Sequence, residues 1–249
     1  MPLLVAEAFA PWSEKARWAL DHHHWRYDYR EYVPLIDEPW LRWQLGDLTG
    51  RVSTPTLLRD AGNERDSLAI ALYAERRGAG TPLFPAAHAD AIAEWDARSE
   101  AALSAGRVRV VTRLGDVPGA KDEMLPAAIP AFLKPALGVA TDATVAFLRW
   151  KYGVGSDVAA SDRTLREVLG ELRVALAGRD HLLGGFTYAD ITMAVVLQMM
   201  SPVSDAYIRL GPAVRAVWTN EPLAAEFTDL VAWRDRLYAA HRRPTVATR

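Results

Sequence analysis

Ser13 stands where a helix is expected to begin, shortly after the apolar, strand-like run Leu3–Ala8. The N–H groups of a first helical turn have no intrahelical partner. The helix dipole adds roughly half a positive charge at the same end. A helix head can therefore hold an anion, a thiolate included. Serine is equally a common N-cap there, and the two roles can coexist. Lys15 and Arg17 either add positive potential or are simply solvated. Asp66-Ser67 precedes a second expected helix head, Leu68-Ala69-Ile70. Ser67 offers a hydroxyl and a helix amide to a carboxylate, and Asp66 offers a carboxylate to an ammonium. The pair also reads as an ordinary N-cap. Thr54-Pro55 opens a strand, and taken alone Pro55 reads as a trans proline at a sheet edge. Cysteine is absent from the 249 residues. The chain thus has no disulfide, thiolate metal site or cysteine nucleophile of its own, and any thiol chemistry must use a thiol carried in by a ligand.

The elements that must position these residues follow from patterning. Leu3–Ala8 is followed by a helix over Ser13–His23, with Ala16, Ala19 and Leu20 at helical spacing. Tyr27–Tyr32 alternates like a strand, and Pro55–Leu58 is another. Asp60-Ala61-Gly62-Asn63 is a hairpin signal, and Ser67–Arg77 is helical again. The order is βαβ, then ββα. Gly78-Ala79-Gly80-Thr81-Pro82 then breaks the pattern as a linker. Beyond it the expected helices are Ala87–Leu114, Pro126–Lys151, Asp162–Ala177, Tyr188–Met200, Gly211–Trp218 and Leu223–His241, with Pro130 and Pro135 interrupting the second. The expected architecture is a small α/β domain followed by an all-α domain about twice its size.

Four segments in this order carry a resemblance to the glutathione S-transferase family. They are Ala10-Pro11-Trp12-Ser13-Glu14-Lys15-Ala16-Arg17-Trp18-Ala19-Leu20, Val52-Ser53-Thr54-Pro55-Thr56-Leu57, Arg65-Asp66-Ser67-Leu68-Ala69-Ile70, and Gly184-Gly185-Phe186-Thr187-Tyr188-Ala189-Asp190-Ile191-Thr192. The first is similar to a bacterial subgroup reading S-P-W-S-E-K-A-R-W-A-L. The resemblance spans essentially the whole chain. It implies a thioredoxin-like domain over residues 1–78, a linker over 79–87 and an all-helical domain over 88–249. It implies glutathione as co-substrate or ligand, a homodimer, and a hydrophobic electrophile held by the helical domain. It also implies a cis Thr54–Pro55 bond, with the Thr54 backbone pairing with the glutathione backbone, and Asp66-Ser67 gripping the γ-glutamyl end. Asp66 replaces the usual Glu. Trp12, next to the site, is expected to line a groove. The family places Ser or Cys, which activates the thiol, where this chain has Ala10. Ser13 is the nearest hydroxyl and is taken as the catalytic candidate. The resemblance therefore supports two readings: a transferase adding the glutathione thiolate to an electrophile, or a binding protein on the same scaffold with little chemistry. A thiol–disulfide oxidoreductase is disfavoured by the missing cysteine.

Other features narrow the picture. Lys+Arg number 29 against Asp+Glu 31, so no basic excess exists to neutralise many phosphates and nucleic acid is not expected as a partner. The longest apolar run, near Ile191–Met200, is about half of what spans a bilayer. No signal peptide is evident, so a soluble, cytoplasmic protein is expected. His22-His23-His24 sits at the end of the first helix, where consecutive side chains point about 100° apart and do not converge on a metal. Arg107, Arg109 and Arg113 lie on the first helix of the α-domain, facing either an interdomain cleft or solvent. Trp95, Trp150 and Trp233 read as core or helix-contact residues. Thr187 and Asp190 form a capping box, with Phe186 and Ile191 in the staple positions.

Overall fold

The computed structural model describes residues 1–50, 52–123 and 157–244, with Ala143, Val145, Ala146, Arg149 and Trp150 between the last two stretches. The N-terminal part is a four-stranded sheet of order β2-β1-β3-β4. Strand β1 (Leu3–Ala6) leads into α1 (Pro11–His22), and β2 (Asp28–Glu31) returns parallel to β1. Helix α2 (Glu38–Leu45) precedes β3 (Thr56–Leu58), which is antiparallel to β1. A hairpin then reaches β4 (Glu64–Arg65), with Gly62 at φ +108° in its turn, and α3 (Ser67–Arg77) follows. This is the expected βαβ-then-ββα order with α2 added. Helix α2 shows little apolar periodicity because only Glu38 and Leu41 are buried. Pro39 in its first turn and Gly46 at φ 64° mark its two ends.

Alternation along β1 sorts the small domain into layers. Leu4 and Ala6 share a cluster with Ala16, Leu20, Leu57, Ile70 and Ala74, under α1 and α3. Val5 points to the other face, with Tyr32, Leu41 and Val52. Helix α1 is covered on its far side as well, because Trp18 and Ala19 belong to the core of the helical part. The Gly78-Ala79-Gly80 stretch packs on the end of α1. A Cβ on Gly78 would lie 2.4 Å from the Cβ of His23.

The helical part comprises α4 (Ala89–Arg113), α5 (Ala120–Glu123), α6 (Val158–Leu176), α7 (Tyr188–Val196), α8 (Pro212–Trp218), α9 (Glu221–Glu226) and α10 (Thr228–His241). Among the described residues no strand follows β4. The expected helix Pro126–Lys151, with Pro130 and Pro135, lies outside the described residues, apart from Ala143, Val145, Ala146, Arg149 and Trp150. The expected helix Leu223–His241 is two helices. Phe227 parts them at φ −116°, ψ 36°, with its ring buried in the core. The expected helix Tyr188–Met200 tightens into a 3₁₀ turn at Leu197–Met199. Trp233 is buried and Trp95 packs against the core, but Trp150 is 78% exposed and so is not a core residue.

The Thr187–Asp190 capping box is complete. Asp190 is fully buried and accepts the N–H groups of Thr187 and Leu182, each at 2.8 Å. Burial raises its carboxyl, and those donors and His181 only partly offset this. Asp190→Asn should leave one of the two N–H groups facing an NH₂ group, at a cost of about 1–3 kcal/mol. Thr187→Ala should cost about 1 kcal/mol as a lost cap. Urea unfolding measures both. A melting transition unchanged in both variants would contradict a structural role for the box.

Candidate functional site

A cleft opens between the head of α1 and the helices facing it. Its walls are apolar, with Phe9, Pro11 and Trp12 on one side and Val110, Val111, Leu114, Met199, Val214 and Trp218 on the other. Phe9 meets Trp218 edge-to-face at 6.3 Å. Ala10 and Thr54 complete the wall of the small domain, and Glu7 and Arg107 are its charged members. Gly106 of α4 allows the close packing behind the cleft, since a Cβ there would sit 2.6 Å from the Cγ of Met199.

The head of α1 is built by Pro11 at the first helical position, behind Ala10 as N-cap in extended conformation. The Ala10 side chain supplies no cap. The first intrahelical bond runs from the Glu14 N–H to the Ala10 carbonyl at 3.1 Å. The N–H groups of Trp12 and Ser13 precede it, at the positive end of the helix. Ser13 itself is fully buried, and its Oγ accepts the Glu7 N–H at 3.2 Å. Ala10, rather than Ser13, forms the cleft wall.

The Thr54–Pro55 peptide bond is cis. Sheet pairing begins only at Thr56, so Thr54 stands outside the ladder at the cleft. The Asp66 N–H bonds to the Pro55 carbonyl at 3.2 Å, which ties the head of α3 to this loop. Asp66 caps α3 by accepting the Ala69 N–H at 2.8 Å, at a φ of +89°. Ser67 beside it is buried.

Charged groups stitch α1 to the helical part. Lys15 is fully buried, and its Nζ donates to Asp96 at 3.1 Å, Ser99 at 2.7 Å and Glu100 at 2.7 Å. The Trp12 indole donates to Glu100 Oε2 at 2.7 Å. Arg17 donates to Glu14 at 2.6 Å and to the Ala8 carbonyl at 2.8 Å. Neither Lys15 nor Arg17 is solvated, contrary to one of the two sequence alternatives. The arginines of α4 go to separate places. The Arg107 guanidinium lies 4.0 Å over the Trp12 ring in the cleft, Arg109 pairs with Asp162 at 3.5 Å, and Arg113 donates to the Thr219 carbonyl at 2.6 Å. His22 meets the Thr81 carbonyl at 2.8 Å and His23 meets Glu75 at 2.9 Å. Among the described residues no three His, Asp or Glu side chains group as metal ligands, and no helix is long and apolar enough to cross a membrane.

The sequence of residues 9–77 matches the family described as glutathione S-transferase, N-terminal domain. This stretch is similar in sequence to the N-terminal domain of glutathione S-transferases. The chain as a whole has the fold of solved glutathione transferases. A glutathione S-transferase from Methylobacillus flagellatus, solved with glutathione bound, aligns at a TM-score of 0.60 and 15% identity, over 98% of this chain and 100% of that one. The beta-etherase LigF from a Sphingobium strain aligns at 0.61 and 16%, over 96% and 95%. A glutathione S-transferase from Methylobacterium radiotolerans, in complex with glutathione sulfonate, aligns at 0.55 and 20%, over 100% and 98%. No curated protein matches the sequence. Within the N-terminal part, the head of α1 and Thr54 line the cleft, and the Thr54–Pro55 loop is bonded to the head of α3.

Proposed function

We propose that the protein binds glutathione along this edge and conjugates its thiolate to a hydrophobic electrophile held in the cleft. The observation that carries the reading is the meeting of Ala10, Trp12 and Thr54 in one apolar wall, with Asp66 bonded to the Pro55 carbonyl beside it. On this reading the Thr54 backbone pairs with the glutathione backbone in strand fashion. Ser67 and the helix amides around it take the γ-glutamyl carboxylate, and Asp66 takes its ammonium. The sulfur lies at the head of α1, where the N–H groups of Trp12 and Ser13 and the helix dipole favour the thiolate. Ser13, buried behind the Ala10 wall and accepting the Glu7 N–H, is the candidate for thiol activation on this reading. The thiol proton leaves to solvent, sulfur attacks the electrophilic carbon, and a halide or similar group departs. The domain limits that go with this reading are 1–78, a linker over 79–87, and 88–249. A homodimer and a cytoplasmic location belong to the same reading.

Ala10 favours a second reading, in which the scaffold holds glutathione or hydrophobic ligands with weak chemistry. No side-chain donor faces the sulfur from that position. Calorimetric titration with glutathione, followed by turnover with a panel of aryl halides, separates the two: binding with turnover supports the first, and binding without it the second. Absence of binding overturns both. Ser67→Ala should weaken glutathione by about 1–3 kcal/mol, since a hydrogen bond to a charged acceptor is lost. Unchanged calorimetric affinity in that variant would remove Ser67 from the site.

A further inference from the structure

The two charged residues that line the cleft come from opposite sides of it. Glu7 belongs to the turn between β1 and α1, and Arg107 belongs to α4. Arg109 and Arg113 of the same helix turn instead to Asp162 and the Thr219 carbonyl. The Arg107 guanidinium lies over the Trp12 ring at 4.0 Å, and the residue is half-buried. Trp12 is itself pinned. Its indole N–H donates to Glu100 Oε2 at 2.7 Å, and Lys15 holds the other Glu100 oxygen at 2.7 Å. The cation is thus set in place before any ligand arrives. Stacking engages the flat face of a guanidinium and not its N–H edge.

We infer that Arg107 is a specificity-determining residue: it selects aromatic electrophiles that carry an anionic group such as a carboxylate. This rests on the proposed glutathione site and on the cleft as the electrophile pocket. A substrate ring that fills the cleft meets Phe9, Val110, Met199 and Trp218 and strips water from Arg107. Taking water from a charge is unfavourable unless the incoming group offsets it. A carboxylate offers two acceptors that match the guanidinium fork, and a neutral ring offers none. Glu7 acts in the same direction from the other wall. It repels an anion from the β1–α1 turn and leaves the α4 side for it. A cation beside Trp12 has one other use, which is to favour the thiolate at the head of α1. In that role it would serve anionic and neutral electrophiles alike.

Two stable product analogues test the selection without requiring turnover. They are S-(4-carboxybenzyl)glutathione and S-(4-carbamoylbenzyl)glutathione, which differ in charge and hardly in shape. Wild type should bind the carboxylate about 5- to 20-fold more tightly, less than for a fully buried charged hydrogen bond because Arg107 is half-buried. Arg107→Met keeps an apolar stem over Trp12 and should bring the two affinities within about 2-fold of each other, chiefly by weakening the carboxylate. Arg107→Lys should keep part of the preference, since the charge remains. Glu7→Gln should widen it, since the cleft then loses its repelling carboxylate. Calorimetry at low ionic strength reads these affinities, and thermal melting checks that each variant is folded. Equal wild-type affinity for the two compounds overturns the selection and leaves the glutathione site standing. So does an equal loss for both in Arg107→Met, or a narrowed preference in Glu7→Gln. If wild type binds neither glutathione nor either compound, the proposed function falls and takes the selection with it.

Discussion

Glu14→Ala is expected to lower the unfolding free energy by about 3–5 kcal/mol, the cost of stranding buried charge. Glu14 is fully buried on α1, between two guanidiniums. Arg242, just past the end of α10, donates to its Oε1 at 2.8 Å, and Arg17 donates to its Oε2 at 2.6 Å. Arg242 also pairs with Asp21, and the Trp18 indole donates to the neighbouring His241 carbonyl at 3.2 Å. The end of the helical part is thus locked onto α1. Removing the carboxylate leaves Arg17 and Arg242 facing each other in a dry interface. Replacing Glu14, Arg17 and Arg242 together by apolar residues should recover most of the loss, because the desolvation cost then disappears with all three charges.

The same site fixes a pH dependence. Burial alone would raise the Glu14 carboxyl, but Arg242 and Arg17 outweigh it and hold the group below its ordinary 4.5. A carboxyl depressed in the folded state contributes stability that is full above the unfolded value and is lost as pH falls through the folded one. Wild type should therefore lose stability more steeply below about pH 4.5 than Glu14→Gln does. Urea unfolding across pH 3–7 measures both effects. A Glu14→Ala unfolding free energy within about 1 kcal/mol of wild type would show that the interface is wetter or looser than this geometry requires.

Charges such as Glu14 mark where the sequence stops being readable. Ala16, Ala19 and Leu20 announced α1 by their spacing, and Thr187 with Asp190 announced the start of α7. Those signals are local, because caps and periodicity act within a few residues. Lys15 and Arg17 looked as much like solvent-facing residues as functional ones, because nothing nearby in sequence reveals that α1 is covered on both sides. Their partners lie far away in the chain: Asp96 for Lys15, and, through Glu14, Arg242 for Arg17. Helix α2 escaped notice for the opposite reason, since it buries little and shows almost no pattern. Thr54-Pro55 and Asp66-Ser67 were legible as motifs, but the bond from the Asp66 N–H to the Pro55 carbonyl that joins them needed coordinates. Arg107, Arg109 and Arg113 looked like one cluster on α4, and only packing against Trp12, Asp162 and Thr219 separates them.

Ala10→Ser is expected to raise turnover with an aryl halide about 10- to 100-fold, and to lower the pKa of the bound thiol by about one to two units. The basis is a hydrogen bond to a charged acceptor, worth roughly 1.5–3 kcal/mol, against 1.36 kcal/mol per pKa unit. Ala10 sits in the cleft wall as the N-cap of α1, so a hydroxyl on its Cβ meets the place where the sulfur is proposed to lie. A serine there can also cap the helix, so the melting temperature should rise slightly. Turnover against pH is a separate readout that capping alone does not move. Ser13→Ala is the counterpart. The Ser13 Oγ accepts the Glu7 N–H, so its removal should disturb the β1–α1 turn. If Ser13 already activates the thiol, that variant should lose more turnover than Ala10→Ser gains. Ala10→Cys should behave differently again. A cysteine at a helix N-terminus has a depressed pKa. Its thiolate should attack oxidised glutathione at one sulfur, form a mixed disulfide with the protein, and release the other half as a thiolate. Mass spectrometry after incubation with oxidised glutathione would detect the adduct. A folded Ala10→Cys protein that binds glutathione but never acquires the adduct would mean that residue 10 does not face the sulfur. The peptide would then have to run along the cleft in another register, with its thiol away from the head of α1.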